Sequence, residues 1–362
     1  IAVCSALLNA GRTLLFFLFC ISKLLQNSWQ VQHKNDMPDK VKVKKLNIGN
    51  IELDNNIVLA PMAGITDLPL RRLAKIGGAG LVYTGMLSAR ALVRSDEKTE
   101  KLLKTANDER PVAAQIFGSD AYIMAEAAKI VRDSGVDIID VNLGCPVRKI
   151  AKSGAGAKLL ADEKLVSEIL ESVVKSVDIP VTVKIRTGLL PEHNAATEII
   201  RVAYNCGIKM VAVHARPVSQ GHSGSPDLKL FAAACAGAKI PVIANGGIVD
   251  EKTAADFLQV SNCAGIMIGR GALGNYSIFN RLEEFFSSGK KLPLPSKKEK
   301  AEWLKKHVRY SMEYYGEKKG FVVMRKVFHY YVKDLPNATK IRDMFNKKII
   351  TLSDFNELIK LF

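Results

Sequence analysis

Between Ile57 and Gly271 short runs of β-branched and other apolar residues return roughly every 25 to 40 residues. They are IVLAP from Ile57, LVYT from Leu81, VAAQIF from Val112, IIDVNLG from Ile138, VTVKIR from Val181, MVAVHAR from Met210, VIANGG from Val242 and GIMIGRG from Gly265. Amphipathic stretches rich in Ala, Lys and Glu fill most of the gaps and predict helices. Near-continuous apolar strands alternating with helices predict parallel strands covered on both sides. Eight such units in roughly 220 residues is the count of a (β/α)8 TIM barrel, an α/β fold. A doubly wound open sheet is the alternative, but no GxGxxG follows the first strand.

The pattern changes at Gly289. GKKLPLPSKKEK, with two prolines and several lysines, reads as a linker. Beyond it apolar residues recur at helical spacing through AEWLKKHVRYSMEYYGEKKGFVVMRKVFHYYVKDL and FNKKIITLSDFNELIKLF, with Gly316 and Pro336 as breaks. The predicted organisation is an N-terminal extension over 1–45, a catalytic barrel over 46–290 and a small C-terminal all-helical domain over 291–362. The start of the chain is unlike the rest. Its apolar run, Leu14 to Ile21, is far short of the roughly 20 residues that span a bilayer, and no membrane association is expected. A targeting segment is conceivable there, but Met37 opens a segment that reads as a natural start, so 1–36 is taken as an over-extended or poorly ordered extension.

Charge adds a partner to this picture. The net charge is +16, and from Pro295 to the end there are 16 Lys and Arg against 8 Asp and Glu, so half of the surplus lies in the helical tail. Such a surplus favours a polyanion such as nucleic acid or an anionic membrane surface, and a solvated lysine-rich face is the plain alternative. The six cysteines show no CxxC pair, which argues against a zinc site or a disulfide framework and for a reducing cytoplasm. No two of the histidines have ligand spacing, so no metal is expected.

Candidate chemistry sits where the strands end. Pro61-Met62-Ala63, Gln115, Asn142 with Gly144-Cys145, Lys184 with Arg186, His214 with Arg216, Asn245-Gly246-Gly247 and Gly269-Arg270 all fall at C-terminal strand ends. In a barrel these ends converge on one mouth, where active sites are built. Backbone N–H groups in the two glycine turns, with Arg270 beside them, suit a phosphate. Lys184 would set a cation against a reduced flavin, and the Gln115 amide can donate to and accept from a ring edge. These residues favour a phosphate-bearing cofactor, with FMN preferred. A free cysteine is usually a small buried hydrophobe, and Cys206, Cys235 and Cys263 are read that way. Cys145, between a glycine and a proline at a strand end, reads instead as a presented thiol.

APMAGITDLPLRRL from Ala60, QIFGSD from Gln115, DVNLGCPVRKIAKSGAGAKLL from Asp140, VKIRTG from Val183, VHAR from Val213, PVIANGGI from Pro241 and MIGRGALGNYSIF from Met267 together resemble the tRNA-dihydrouridine synthase family. YGEKKGFVVMRKVFHYYV resembles its bacterial B-type branch. The resemblance implies an FMN enzyme, reduced by NADPH (or NADH), that saturates the C5–C6 bond of a D-loop uridine in tRNA. It implies that Cys145 is the proton donor and that Pro61, Met62, Ala63, Gln115, Lys184, His214, Asn245, Gly246, Gly247, Gly269 and Arg270 line the flavin. Asn142 and Arg216 are implied at the substrate, the helical domain at the tRNA backbone, and a monomer is expected. An acid of this kind must be held as the thiol.

Two departures stand out: Gly247 where many relatives carry aspartate, and Ala215 where they often carry glycine. Two rival readings remain, a flavin barrel acting on a free small molecule and a non-catalytic RNA-binding barrel.

Overall fold

The computed structural model describes residues 45–349 and 351–362. The expected extension over 1–45 therefore lies outside the described residues except for Lys45. A short hairpin, β1 (Leu46–Ile48) with β2 (Ile51–Leu53), comes first. All eight apolar runs then form strands: β3 (Ile57–Leu59), β4 (Val82–Tyr83), β6 (Val112–Phe117), β7 (Ile138–Leu143), β8 (Val181–Arg186), β9 (Met210–His214), β10 (Val242–Asn245) and β11 (Gly265–Ile268). An extra short strand, β5 (Leu87–Ser88), continues the edge of β6.

The strands run in the order β3-β11-β10-β9-β8-β7-β6-β4, each pair parallel, and a parallel bridge between Val58 and Leu81 brings the last back to the first. This is the (β/α)8 TIM barrel that the alternation predicts. Its helices start where aspartates can cap them. Asp67, Asp120, Asp162, Asp227 and Asp250 each accept a first-turn N–H, which satisfies donors that the helix cannot pair internally.

Side chains alternate across each strand, and the inward set changes character along the barrel axis. At the N-terminal end Val58, Leu81, Ile138, Met210 and Ile243 join Leu46, Ile48 and Leu53 of the hairpin in one buried cluster. The hairpin thus closes that end with apolar side chains. Two and four residues further on, β7 places Asp140 and Asn142 on the same side as Ile138, and the neighbouring strands bring Gln115, Thr182 and Lys184 into register with them. The barrel is greasy at its base and polar at its mouth.

After an extended segment, a Ser296–Glu299 capping box starts the helix Lys297–Tyr315, which ends at Gly316. Four shorter helices follow, Glu317–Met324, Phe328–Val332, Ala338–Lys348 and Leu352–Ile359. Phe328 stacks on Phe345 at 3.8 Å, with Phe321 and Phe355 against the same group, and this forms a second small core. The helices also pack on the barrel. The Arg72 guanidinium lies 3.9 Å over the Tyr310 ring, and Tyr315 Oη donates to Asp67 at 3.0 Å. Gly274, at φ +66°, lets the chain at Tyr330 pass so close that a Cβ would meet its carbonyl at 2.9 Å. Among the described residues no helix is long and apolar enough to cross a membrane.

His307 sits in this interface, 2% exposed, with Nδ1 at 2.8 Å from Tyr331 Oη and 3.3 Å from Tyr276 Oη. Burial pushes its pKa down to about 3. The unfolded chain takes up this proton near pH 6.5, so stability from this group is lost as the pH falls from 6.5 towards 3, by about 1.4 kcal/mol per unit. Chemical denaturation between pH 7 and 5 should show a shallower loss in His307→Gln than in the wild type. Equal slopes would contradict a neutral, buried His307.

Candidate active site

The mouth of the barrel is a cavity of about 1180 Å³ whose wall includes every residue singled out from the sequence: Pro61, Met62 and Ala63 after β3, Gln115 on β6, Asn142 and Cys145 at the end of β7, Lys184 on β8, His214 and Arg216 at β9, Asn245, Gly246 and Gly247 at β10, and Gly269 and Arg270 at β11. Gly247 and Arg270 lie exposed on the rim, whereas Gln115, Asn142, His214, Arg216 and Asn245 are buried.

Cys145 is half-buried in a loop tied down on both sides. Its N–H donates to Asn142 Oδ1 at 3.0 Å and its carbonyl accepts from Ala157 N at 3.1 Å. Arg186 donates through Nε to Gly144 O at 3.1 Å and through Nη1 to Pro217 O and Gly221 O, so it staples the β7 loop to the β9 loop. Arg148 and Lys149, just beyond, are exposed to solvent.

The electrostatics are one-sided. Lys184, Arg186, Arg216, Arg270, Lys300 and Lys333 line the cavity with the imidazoles of His214 and His222, against Asp250 and Asp334. The hydrogen bonds of the three arginines go to backbone carbonyls and to His214 rather than to carboxylates. Burial, then the charge of Arg186, pulls the Lys184 pKa down to about 8. Burial, then Arg216, lowers that of Arg186 to about 10. His214 is held neutral, because burial and the cations around it drive its pKa far down. Arg216 Nη1 lies 3.3 Å from His214 Nε2, and an arginine can only donate, so the imidazole proton is on Nδ1. Desolvated cations with few counter-charges make a site for an anion.

The glycines fit the same ligand. Gly246 adopts φ +115° with its Cα against the His214 ring, where a Cβ would fall 2.4 Å from Cδ2. Only glycine leaves the backbone there open to a phosphate. Ala215 is fully buried and its methyl is accommodated, and Gly247 takes the turn at φ +75°. A phosphorylated, planar cofactor such as a flavin matches this combination of volume, positive charge and open backbone.

Several wall residues were not singled out from sequence. Ile65 and Met86, in the loops after β3 and β4, are among them. His222, on the loop after β9, and Leu294, Lys300, Tyr330 and Lys333 from the linker and helices reach the cavity through tertiary packing, and no local pattern marks them. Cys206 and Cys235 are buried as core-fillers should be, and Cys263 is half-buried. Among the described residues no cluster of His, Cys, Asp and Glu is arranged to hold a metal.

A family model for dihydrouridine synthase (Dus) matches residues 58–358. The chain belongs to the dihydrouridine synthase family. It is 39% identical over 302 residues to a probable tRNA-dihydrouridine synthase of Rickettsia bellii, covering 83% of this chain and 93% of the relative. It is 37% identical over 300 residues to tRNA-dihydrouridine synthase B of Pseudomonas syringae pv. tomato, with 83% and 89% covered. Among solved structures, histamine dehydrogenase from a Rhizobium species is similar with a TM-score of 0.55 at 13% identity, over 68% of this chain and 48% of that one. A 2-naphthoyl-CoA reductase is similar at 0.54 and 15% identity, over 68% and 52%. The chain spans about half the length of those two structures, and they share its fold. This dihydrouridine synthase thus carries the family match across both the barrel and most of the helical segment.

Proposed function

We propose that this dihydrouridine synthase reduces a uridine of tRNA to 5,6-dihydrouridine at the barrel mouth, with FMN as its flavin, NADPH as reductant and Cys145 as proton donor. The observation that carries the residue assignment is the Cys145 loop, anchored at N–H and carbonyl, on the wall of the cation-lined cavity that holds Lys184. A bound flavin, once reduced, supplies the hydride that adds to C6 of the uracil. The protein's residues do the rest. Cys145 gives its thiol proton to C5, so the C5–C6 double bond gains one hydride and one proton. Gly246, Gly247, Gly269 and Arg270 hold the phosphate, and Lys184, Gln115, His214 and Asn245 the rest of the flavin with Pro61, Met62 and Ala63. Asn142 and Arg216 meet the nucleotide.

A uridine must leave its stack to enter such a mouth, which is easiest in the D-loop. Tyr330, Lys300 and Lys333 on the wall, and the +8 surplus of the helical tail, are the surface for the adjoining RNA. The proposed working form is a monomer in the cytoplasm. The test is substrate size: the FMN-loaded enzyme should oxidise NADPH and form dihydrouridine with tRNA but not with free uridine. Turnover of free uridine at a comparable rate would favour a small-molecule enzyme.

Lys184 adds a pH dependence. Its charge is present below about 8 and lost above it, while a bound anion raises that value by linkage. FMN affinity, followed by flavin fluorescence between pH 7 and 10, should therefore fall with rising pH by up to about tenfold per unit, the slope of one proton. Lys184→Met should bind more weakly with a flatter profile. A wild-type profile without that fall would remove Lys184 from the cofactor's charge balance.

A further inference from the structure

A continuous run of hydrogen bonds crosses the barrel interior and ends on the backbone of Cys145. Asp140 on β7 is fully buried, and its carboxylate accepts from Thr182 Oγ1 at 2.6 Å and from Gln115 Nε2 at 2.7 Å. Gln115 Oε1 accepts from Asn142 Nδ2 at 2.8 Å. Asn142 Oδ1 accepts in turn from the N–H groups of Gly144 at 3.2 Å and Cys145 at 3.0 Å. Gln115 is 1% exposed and Asn142 7%, so water has little part in pairing these amides.

An amide side chain can be turned over with almost no change of shape, so a Gln–Asn pair has two possible senses. Above about pH 6, to which burial raises its pKa, the Asp140 carboxylate only accepts, which turns Gln115 nitrogen towards Asp140 and oxygen towards Asn142. That oxygen then turns Asn142 nitrogen inward and leaves its own oxygen facing the loop. Backbone N–H groups only donate, so the far end agrees with the near end and one sense alone pairs every group. We propose that Asp140 is a positioning residue which, through Gln115 and Asn142, fixes the backbone at Cys145 and hence the direction of its thiol. The hydrogen bonds of Asp140 go to Thr182 and Gln115 rather than to the loop, so it acts by setting the polarity of the two amides. The consequence for catalysis rests on Cys145 being the proton donor proposed above. The geometric claim does not.

The relay can be reversed. In Asn142→Asp the new carboxylate still accepts from the loop but opposes the oxygen of Gln115, which Asp140 prevents from turning. Adding Asp140→Asn supplies a donor at the other end, so Gln115 can turn over and every group is paired again in the opposite sense. The readout is the alkylation rate of Cys145 by iodoacetamide in the full-length protein, resolved by peptide mass spectrometry and taken at the plateau where the thiol is fully ionised. Asn142→Asp should change that rate by about tenfold or more, and the double variant should return it to within about threefold of the wild type. Gln115→Met, which cuts the relay without adding charge, should shift the rate in the same way and serves if Asn142→Asp does not fold. A wild-type rate in Gln115→Met, or a double variant no closer to wild type than Asn142→Asp, would overturn the proposal. A merely structural Asp140 gives no such restoration. Because alkylation reads the loop and not turnover, its failure leaves the proton-donor reading standing, and absence of dihydrouridine in the wild-type assay would leave the relay standing.

Discussion

Replacing Cys145 by alanine should lower dihydrouridine formation by about 10²–10⁴-fold, the range over which a positioned general acid contributes. Flavin binding and its reduction by NADPH should change little, because none of the ties that hold the loop uses the thiol. The N–H to Asn142, the carbonyl to Ala157 and the Arg186 contact to Gly144 are all made by backbone or by other side chains. Single-turnover measurements with reduced enzyme separate the two effects. A variant that reduces tRNA uridine at the wild-type rate would remove Cys145 from the chemistry, and one that loses its flavin would make the residue structural.

The largest expected effect on stability is at Arg71. It is 1% exposed and forms a two-point pair with Glu109, itself fully buried, through Nε–Oε2 at 2.7 Å and Nη2–Oε1 at 3.0 Å. Its remaining donors reach Lys104 O at 2.8 Å and Thr66 O at 3.3 Å, and Glu109 Oε1 also accepts from Ala106 N at 3.0 Å. Arg71→Met leaves a buried carboxylate without its cation and should cost about 3–5 kcal/mol in urea or thermal unfolding. Arg71→Met with Glu109→Leu should cost less than Arg71→Met alone, since the stranded charge is gone. The effect should reach the site as well. Thr66 Oγ1 accepts from Met62 N at 3.0 Å, so the loop after β3 hangs from the residue that Arg71 steadies, and flavin affinity should weaken in the single variant. A loss below about 1 kcal/mol would show that the site relaxes around the lone carboxylate.

Much of this was legible in the sequence because a parallel barrel writes itself locally. Each buried strand is a short apolar run, and each run ends on residues that break the pattern, so the mouth could be assembled from strand ends alone. The aspartate before several helices and the Ser296–Glu299 box are equally local. The hairpin Leu46–Leu53 was not legible, because its strands have three residues each and their partner is the barrel's apolar base. The same holds for Tyr330 and Lys333. They stand on the cavity wall because the chain at Tyr330 packs against Gly274, beyond β11, and nothing near them in the chain says so. Asp140 lies between these cases. Its place two residues before Asn142 puts it on the inner side of β7, yet its meaning depends on Gln115 and Thr182 from the strands on either side.

The most direct measurement is nucleoside mass spectrometry of tRNA that lacks dihydrouridine, incubated with the purified full-length enzyme, FMN and NADPH. Uridine should gain one equivalent of H₂ at a discrete position, and its initial rate should fall by about 10²–10⁴-fold when Cys145→Ala replaces the wild type. An enzyme that binds FMN and oxidises NADPH yet leaves every uridine unchanged would contradict the assignment of tRNA uridine as its substrate.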